Sequence, residues 1–435
     1  MSRVLFRGAL VFDGTGAPVR DTDVSVEDGV IIDVGSRLDG DSEIDVSGHT
    51  LLPGLFDCHV HVAVSHVDMW RHMQTPFSMR FYEAERNLAA TLRGGVTSVR
   101  DAGGADLGIK TAVQSGLIRG PRMQIAIKML SQTGGHGDGT MPSGDCFHLM
   151  PPYPGSPPGI VDGADEMRRR VRELIREGAD VIKVATSGGV LSPRDSPRHA
   201  HFRAAELEVL VEEATAAGRF VMAHAQATDG IKNAIRAGIR SIEHGIYLDD
   251  EAIQLMLDRG TYLVPTLVAP LGLLEAADEG VRFVPAVLEK AKEVVDVHRE
   301  SFRRAVAAGV RIAMGTDSGV TPHGRNLREL ELMRQGGMSP EQVLVAASRT
   351  SAELLGVAAT LGTIEPGKFA DLVAVEGDPF DLATLPARIR GVYVDGRPAF
   401  DSGPDRRETK NYSPAVPLRG DPIPERPQRF ALEGE

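Results

Sequence analysis

Hydrophobic and polar positions alternate over short runs near both ends of the chain. The alternation is visible over residues 5–12 and returns over residues 370–375 and 392–396, where Gly, Asp and Pro turns separate the runs. A period of two is typical of strands with one buried face. We therefore expect residues 1–55 and 358–410 to form one composite β-sandwich domain, with the rest of the fold inserted between them.

The middle of the chain alternates between short apolar runs and longer helical patterns. The runs are centred near eight residues: His59, Val99, Ile125, Lys183, His224, His244, Val264 and Ala313. Helices are predicted between them over residues 204–217, 249–259 and 285–308. This alternation is typical of the α/β class, and eight repeats predict a (β/α)8 TIM barrel over residues 56–357.

Two segments do not fit the repeat. Residues 137–163 are rich in Pro and Gly and are long for a connection between a strand and a helix, so we expect a functional loop over the mouth of the barrel. Residues 411–435 are rich in Pro, Arg and Glu. This composition predicts a C-terminal tail outside both domains.

The first apolar run ends in two histidines separated by one residue, His59 and His61. Successive strand residues point to opposite faces, so both imidazoles project from the same face, together with Asp57. Such a pair can bind a metal ion. Taken alone, it is more often a pair of hydrogen-bonded core histidines.

Other strand-like runs also end in residues that can bind metals, namely Lys183, His224, His244 and Asp317. In a parallel barrel the C-terminal ends of the strands meet at one mouth, so these side chains would converge with the two histidines. Lys183 lies in an apolar run, where burial lowers the pKa of an amine; the alternative is a lysine that extends to the rim. Asp317 could also cap a helix.

The order and context of these residues, together with segments 130–138 and 184–189, resemble the amidohydrolase superfamily. Within it, they resemble the branch of imidazolonepropionase, Xaa-Pro dipeptidases (prolidase-like enzymes) and ochratoxin amidases. The resemblance covers nearly the whole chain. It implies a hydrolase with two divalent metal ions, and its N/O ligand set suits Zn²⁺, with Mn²⁺, Co²⁺ or Fe²⁺ as alternatives.

The resemblance also implies how the ligands are shared. One metal would be held by His59, His61 and Asp317, and the other by His224 and His244. An N6-carboxylysine, formed at Lys183 from carbon dioxide, would join the two ions. Asp317 would also be catalytic, taking the proton of the attacking water and passing it to the leaving amine.

Further candidates surround this centre. His136, in a Gly-rich loop, could polarise the scissile carbonyl or contact substrate, or could only stabilise the loop. Tyr247 could be a second donor to the same oxygen or a packed rim aromatic. Four basic residues after strands four and eight could bind a substrate carboxylate, although each taken singly is more simply a surface residue: Arg198, His199, His201 and Arg325.

Composition and charge narrow the class of protein. The chain has 435 residues, 42% of them hydrophobic and 25% charged, which fits a globular α/β protein. A formal charge of −12 without a basic stripe argues against nucleic acid or an anionic membrane as a partner. Two cysteines exclude a disulfide framework, and no signal peptide is recognisable, so we expect a cytoplasmic protein.

We therefore predict cleavage of an amide bond in a small-molecule substrate, a dipeptide or an N-acyl amino acid with a free C-terminal carboxylate. One alternative is hydrolysis of a cyclic amide, as by imidazolonepropionase, which works with one metal and does not need Lys183. Another is a non-catalytic scaffold, which would be expected to lose ligands. The oligomeric state is open, and a homo-oligomer is compatible with the sequence.

Overall fold

The computed structural model describes residues 3–192 and 194–401, so the predicted tail at 411–435 lies outside the described residues. It is an α/β fold with parallel sheets. The strands are β1 Arg3–Val11, β2 Arg20–Glu27, β3 Val30–Gly35, β4 Ser42–Asp45, β5 His49–Pro53, β6 Leu55–Val60, β7 Val96–Asp101, β8 Arg122–Ile125, β9 Met129–Leu130, β10 Val181–Ala185, β11 Phe220–Ala225, β12 Ser241–His244, β13 Tyr262–Val264, β14 Leu372–Glu376, β15 Ile389–Val394 and β16 Arg397–Asp401.

The helices are α1 Met69–Gln74, α2 Met79–Arg93, α3 Leu107–Gln114, α4 Ala164–Arg176, α5 Ala204–Ala216, α6 Thr228–Ala237, α7 Asp250–Arg259, α8 Val268–Asp278, α9 Pro285–Ala308, α10 Arg328–Gln335, α11 Pro340–Val345 and α12 Ser351–Leu354. A π-helical turn occupies Ala346–Thr350, and a 3₁₀-helical turn occupies Leu385–Arg388. Among the described residues, no helix combines the length and the apolar character needed to cross a membrane.

Both chain ends contribute to one eight-stranded sheet, in the order β16-β15-β14-β5-β1-β2-β3, with β4 paired to β1. Its two halves join where β14 runs antiparallel to β5, with Leu372 opposite Pro53. Phe6 and Tyr393, from the two ends, pack edge to face in its core. The association of the chain ends agrees with the alternating pattern, whereas a complete sandwich and its limits stay predictions.

The parallel strands lie between these ends in two sheets, β6-β7-β8 and β9 to β13. Residues 311–318 connect them. Leu263 N donates to Arg311 O (2.9 Å) on the β13 side, and Asp317 N donates to His59 O (2.7 Å) on the β6 side. The eighth predicted run therefore lies between β13 and β6, and it brings Asp317 beside His59.

Local chemistry explains why several helices begin and end where the sequence predicts. The Asp249 side chain accepts from Ala252 N at the start of α7, and Gly260, with φ 64°, ends the helix in a left-handed conformation. Proline occupies the first position of α9, whose bounds match residues 285–308. Because these capping residues lie next to the helices that they end, the limits of the helices can be predicted from the local sequence.

A buried ion cluster fastens the parallel strands to the composite sheet. The Arg122 guanidinium, on β8, donates to Asp371 (2.8 Å) and Asp395 (2.6 Å), which lie before β14 and after β15. All three side chains are buried. Removing one partner of such a cluster would leave an uncompensated charge, so the cluster fixes how the strands meet the sheet.

Candidate active site

His59 and His61 lie at the C-terminal end of β6, where both ring orientations are fixed by hydrogen bonds. His59 Nδ1 contacts Glu243 Oε2 (2.7 Å), and His61 Nδ1 contacts Gly103 O (2.7 Å). Both acceptors require a proton on Nδ1, which leaves each Nε2 as a potential ligand. These Nε2 atoms lie 3.5 and 3.2 Å from Asp317 Oδ1.

Asp57 lies two residues before His59 but has a different role. Its fully buried carboxylate accepts from Thr316 Oγ1 (2.6 Å) and Asn326 Nδ2 (2.8 Å). Burial raises the pKa of Asp57 to about 6, although these hydrogen bonds oppose the shift. Asp57 therefore attaches the segment that carries Asp317 to β6.

Lys183 extends from β10 into the same centre. Its Nζ lies 3.4 Å from His59 Nε2, and only 1% of the residue is exposed. Burial lowers the pKa of Lys183 to about 8. Among the described residues no carboxylate forms an ion pair with Lys183. Glu243 and Asp317 are near enough to oppose the lowering of its pKa, but the effect of burial is larger.

His224 and His244 complete the cluster from β11 and β12. Their rings are 4.7 Å apart, and the His244 ring is 5.1 Å from that of His59. His244 Nδ1 contacts Thr266 Oγ1 (2.7 Å), whereas His224 Nε2 contacts Gly188 O (3.1 Å). These contacts use one nitrogen of each ring, and the other nitrogen is a potential metal ligand.

The charge states of three of the histidines and of Asp317 suit metal binding. Burial lowers the pKa values of His59, His224 and His244 well below the usual range, which favours neutral imidazoles. Burial opposes ionisation of Asp317, but His59 and His61 outweigh it and hold the pKa of that carboxyl well below its usual range. Burial also opposes protonation of His61, and Asp317 outweighs it, so the pKa of His61 is raised.

The predicted ligands thus come together, and their chemistry fits divalent metal ions. Ligand atoms of His59, His244 and Asp317 lie within 4.8 Å of one another. Neutral imidazoles at His59, His224 and His244, one ionised carboxylate and no thiolate suit Zn²⁺ and similar ions. The backbone of His244 (φ 72°) and of Asp317 (φ 61°) is left-handed, a conformation that is uncommon for residues other than glycine and often occurs at functional sites.

His136 reaches this centre from the Gly-rich loop. Its ring stacks on His224 with centroids 4.0 Å apart and planes inclined by 15°. His136 Nδ1 contacts Ser192 Oγ (2.8 Å), and that hydroxyl donates to Asp195. Gly189 leaves room for the ring, because a Cβ there would lie 2.2 Å from His136 Cε1. Ser192 and Asp195 therefore orient His136.

Five other predicted residues do not join this centre, since none of them lines its cavity: Tyr247, Arg198, His199, His201 and Arg325. The Tyr247 hydroxyl donates to Glu293 (3.0 Å), and Arg198 pairs with the same carboxylate (2.6 Å) while lying over the tyrosine ring. His199 and Arg325 are exposed, and His201 is buried. Their proposed substrate contacts gain no support from these positions.

A cavity of about 250 Å³ opens beside the ligands. Its far wall is mainly apolar, and the segment predicted as a mouth loop contributes Phe147, Leu149 and Met150 to it. The volume is just below the roughly 300–1,000 Å³ of typical small-molecule sites. The cavity therefore suits a compact substrate with an apolar group.

Glu243 is a site residue that the sequence analysis missed. Its Oε1 accepts from Arg100 Nη2 (2.8 Å) and Ser241 Oγ (2.6 Å), while its Oε2 holds His59. Strand alternation should direct Glu243 and His244 to opposite faces. The left-handed backbone at His244 interrupts the alternation, so both residues approach His59.

Comparison with known proteins agrees with this geometry. The sequence profile described as "Amidohydrolase family" matches residues 50–399, and the chain belongs to that family of hydrolases. It is 35% identical to ochratoxinase of Aspergillus niger over 397 residues, covering 87% of this chain and 82% of the relative. Imidazolonepropionase of Rhizorhabdus wittichii is 29% identical, covering 81% of this chain and 88% of the relative.

A solved structure of a Xaa-Pro dipeptidase, with methionine bound in the active site, is also similar. It is 33% identical, with a TM-score of 0.84, and the match covers 92% of this chain and 100% of that one. The predicted branch of the superfamily and the enzyme class, a hydrolase of C–N bonds, are confirmed.

Glu243 provides a test of how the ligand set is held. Glu243→Gln keeps the size of the side chain but cannot accept from both His59 and Arg100 without turning an amide NH₂ toward one of these donors. We expect metal affinity to fall about 10- to 100-fold, as for other residues that orient a metal-binding histidine. Competition with a chelator measures this directly. Glu275→Gln, in an exposed ion pair, is the matched control; equal affinities in the two variants would contradict the role of Glu243.

Proposed function

We propose that the protein is a binuclear metal-dependent amidohydrolase that cleaves a dipeptide or an N-acyl amino acid with a free C-terminal carboxylate. The observation that carries the proposal is the convergence of four histidines, Lys183 and Asp317 beside one cavity. The parallel strands form a (β/α)8 barrel over residues 56–357 in this proposal, and residues 1–55 and 358–410 form a composite β-sandwich.

The positions of the side chains support the assignment of the metal ligands. His59, His61 and Asp317 hold one ion, and His224 and His244 hold the other, most simply as Zn²⁺. Two divalent ions supply Lewis-acid activation of water and of the scissile carbonyl. The relative positions of the rings and carboxylate support this division, because His61 contacts Asp317 while His224 lies beside His244.

Lys183 joins the two groups as an N6-carboxylysine. Its neutral amine attacks carbon dioxide, an N–C bond forms, and one proton is released, which leaves an anionic carbamate. Burial favours the neutral amine required for this reaction.

Asp317 transfers the proton, and His136 orients the substrate. Asp317, ionised and next to both histidines of β6, accepts the proton of the attacking water and delivers it to the leaving nitrogen. His136 is held against His224 by Ser192 and Asp195, and it contacts the substrate beside the scissile carbonyl.

The names of the relatives support amide cleavage next to an amino acid. One similar structure is a Xaa-Pro dipeptidase that contains methionine in its active site, and ochratoxinase is similar over most of the chain. The apolar cavity suits the side chain or acyl group of such a substrate. The reaction needs only water as a co-substrate.

Hydrolysis of a cyclic amide is the alternative, supported by the similarity to imidazolonepropionase. Lys183 argues against it, since one metal site would not require a buried lysine between the two groups of ligands. A non-catalytic scaffold is disfavoured because the complete set of candidate ligands is retained.

The proposal is tested by a screen of matched substrates. Metal-loaded protein should hydrolyse dipeptides or N-acyl amino acids, should lose activity after chelation, and should regain it with Zn²⁺, Mn²⁺ or Co²⁺. Amine release measures the reaction. Cyclic imides and imidazolones serve as the comparison, and turnover of these compounds alone would favour the alternative. A chelated, metal-free enzyme that kept full activity would overturn the metal mechanism.

Asp317→Asn separates proton transfer from substrate binding. The amide keeps the shape of the side chain but cannot take a proton, so kcat should fall by roughly 10²–10⁴ with a small change in KM. Steady-state kinetics at saturating metal, with measured metal content, gives both constants. A near-normal kcat would assign the proton transfer to another residue.

A further inference from the structure

Lys128 is a buried cation on the wall of the cavity. It lies just before β9, whose Met129 pairs with Lys183, so it is close in the fold to the candidate metal ligands. Only 8% of the residue is exposed. Its Nζ donates to Met150 O in the mouth loop, and no ion pair involving Lys128 is found in residues 3–192 and 194–401.

An ammonium group has three donors, and burial without a carboxylate is costly. Burial is the main reason that the pKa of Lys128 is lowered, to about 8, and nearby Arg80 lowers it further. Lys128 lines the cavity, and its contact to Met150 O uses one of the three ammonium donors. A negatively charged ligand would compensate its charge.

The backbone holds this lysine in place through unusual local structure. Ile127, directly before it, is β-branched and yet has a left-handed φ of 65°. Gly104 N donates to Ile127 O (3.0 Å), which fixes that conformation. Gly159 leaves room for the lysine stem, since a Cβ there would lie 3.2 Å from both Cγ and Cε of Lys128.

A second buried cation lies beneath the same loop. Arg80 is 6% exposed and donates from Nη2 to Leu149 O (3.1 Å), while its buried Nη1 has no hydrogen-bond partner. No ion pair of Arg80 is found in the described part of the chain. Arg80 therefore adds positive potential behind Lys128 without entering the cavity lining.

From this arrangement, and resting on the proposed function, we infer that Lys128 binds the C-terminal carboxylate of the substrate and determines the specificity for free acids. The acid would enter the cavity beside the mouth loop, with its amide bond directed toward His136 and Asp317. This assignment replaces the exposed candidates: Arg198 already pairs with Glu293, and neither His199 nor Arg325 lines the cavity.

The test measures binding in an Asp317→Asn background, where turnover is suppressed. The ligands are the N-acetyl derivatives of L-phenylalanine, L-methionine and L-proline, each as free acid and as amide, titrated into metal-loaded protein by calorimetry. At least one acid should bind ten times or more tightly than its amide, because a charge-assisted contact is stronger than a neutral one. Lys128→Met should reduce this preference to less than about twofold while leaving the affinity for the amide nearly unchanged.

Two matched variants complete the design. Lys128→Arg should keep most of the preference, and Arg325→Met should keep all of it, because Arg325 is exposed and does not line the cavity. Thermal unfolding establishes that each variant is folded. A preference that persists in Lys128→Met, or a background protein that does not favour any acid over its amide, overturns the inference. Failure of the substrate screen, with the binding preference intact, would instead reject only the proposed reaction.

Discussion

The hydrogen bonds of the buried Glu243 carboxylate hold the candidate centre together. One oxygen orients His59 of β6, and the other accepts from Arg100 of β7 and from Ser241 of its own strand. Three strands are therefore connected through a single anion. Because a buried charge is tolerated only when it is paired, this network constrains both the register of the strands and the ring of His59.

Asp57 is a second buried carboxylate whose hydrogen bonds fix a neighbouring segment, on the other side of β6. It binds Thr316 and Asn326, and so positions the irregular segment that carries Asp317. Lys183 differs from these buried carboxylates, because burial outweighs the effect of Glu243 and Asp317 and lowers its pKa. The neutral amine that burial favours is the form that can become a carbamate, which is why the lysine is central to the proposed function.

Much of the centre could be predicted because its signals are local. The spacing of His59 and His61, the apolar run around Lys183 and the caps of the helices need only neighbouring residues, and convergence of the strand ends follows from a parallel fold. Glu243 was missed because alternation would direct it away from His244, and the left-handed backbone at His244, which lets both residues approach His59, could not be predicted. That distortion is imposed by tertiary contacts and leaves no periodic pattern.

The substrate contacts were harder to predict for a similar reason. Arg198 and Tyr247 follow strands, as substrate-binding residues often do, but Glu293 on α9 engages both of them. Lys128 lies in an apolar run without a motif, and its importance depends on the loop that covers it. Pairing between distant segments decides which cations remain available to a ligand, and the sequence pattern does not encode that pairing.

The central claim is that Lys183 connects two metal ions in one hydrolytic centre. The most direct measurement is the number of metal ions per chain, determined by elemental analysis after loading and desalting, with turnover followed on the same samples. We expect about two ions per active chain, fewer than one in Lys183→Ala, and two in the exposed control Lys292→Ala. Full activity with a single ion per chain, or an unchanged metal content in Lys183→Ala, would contradict the account.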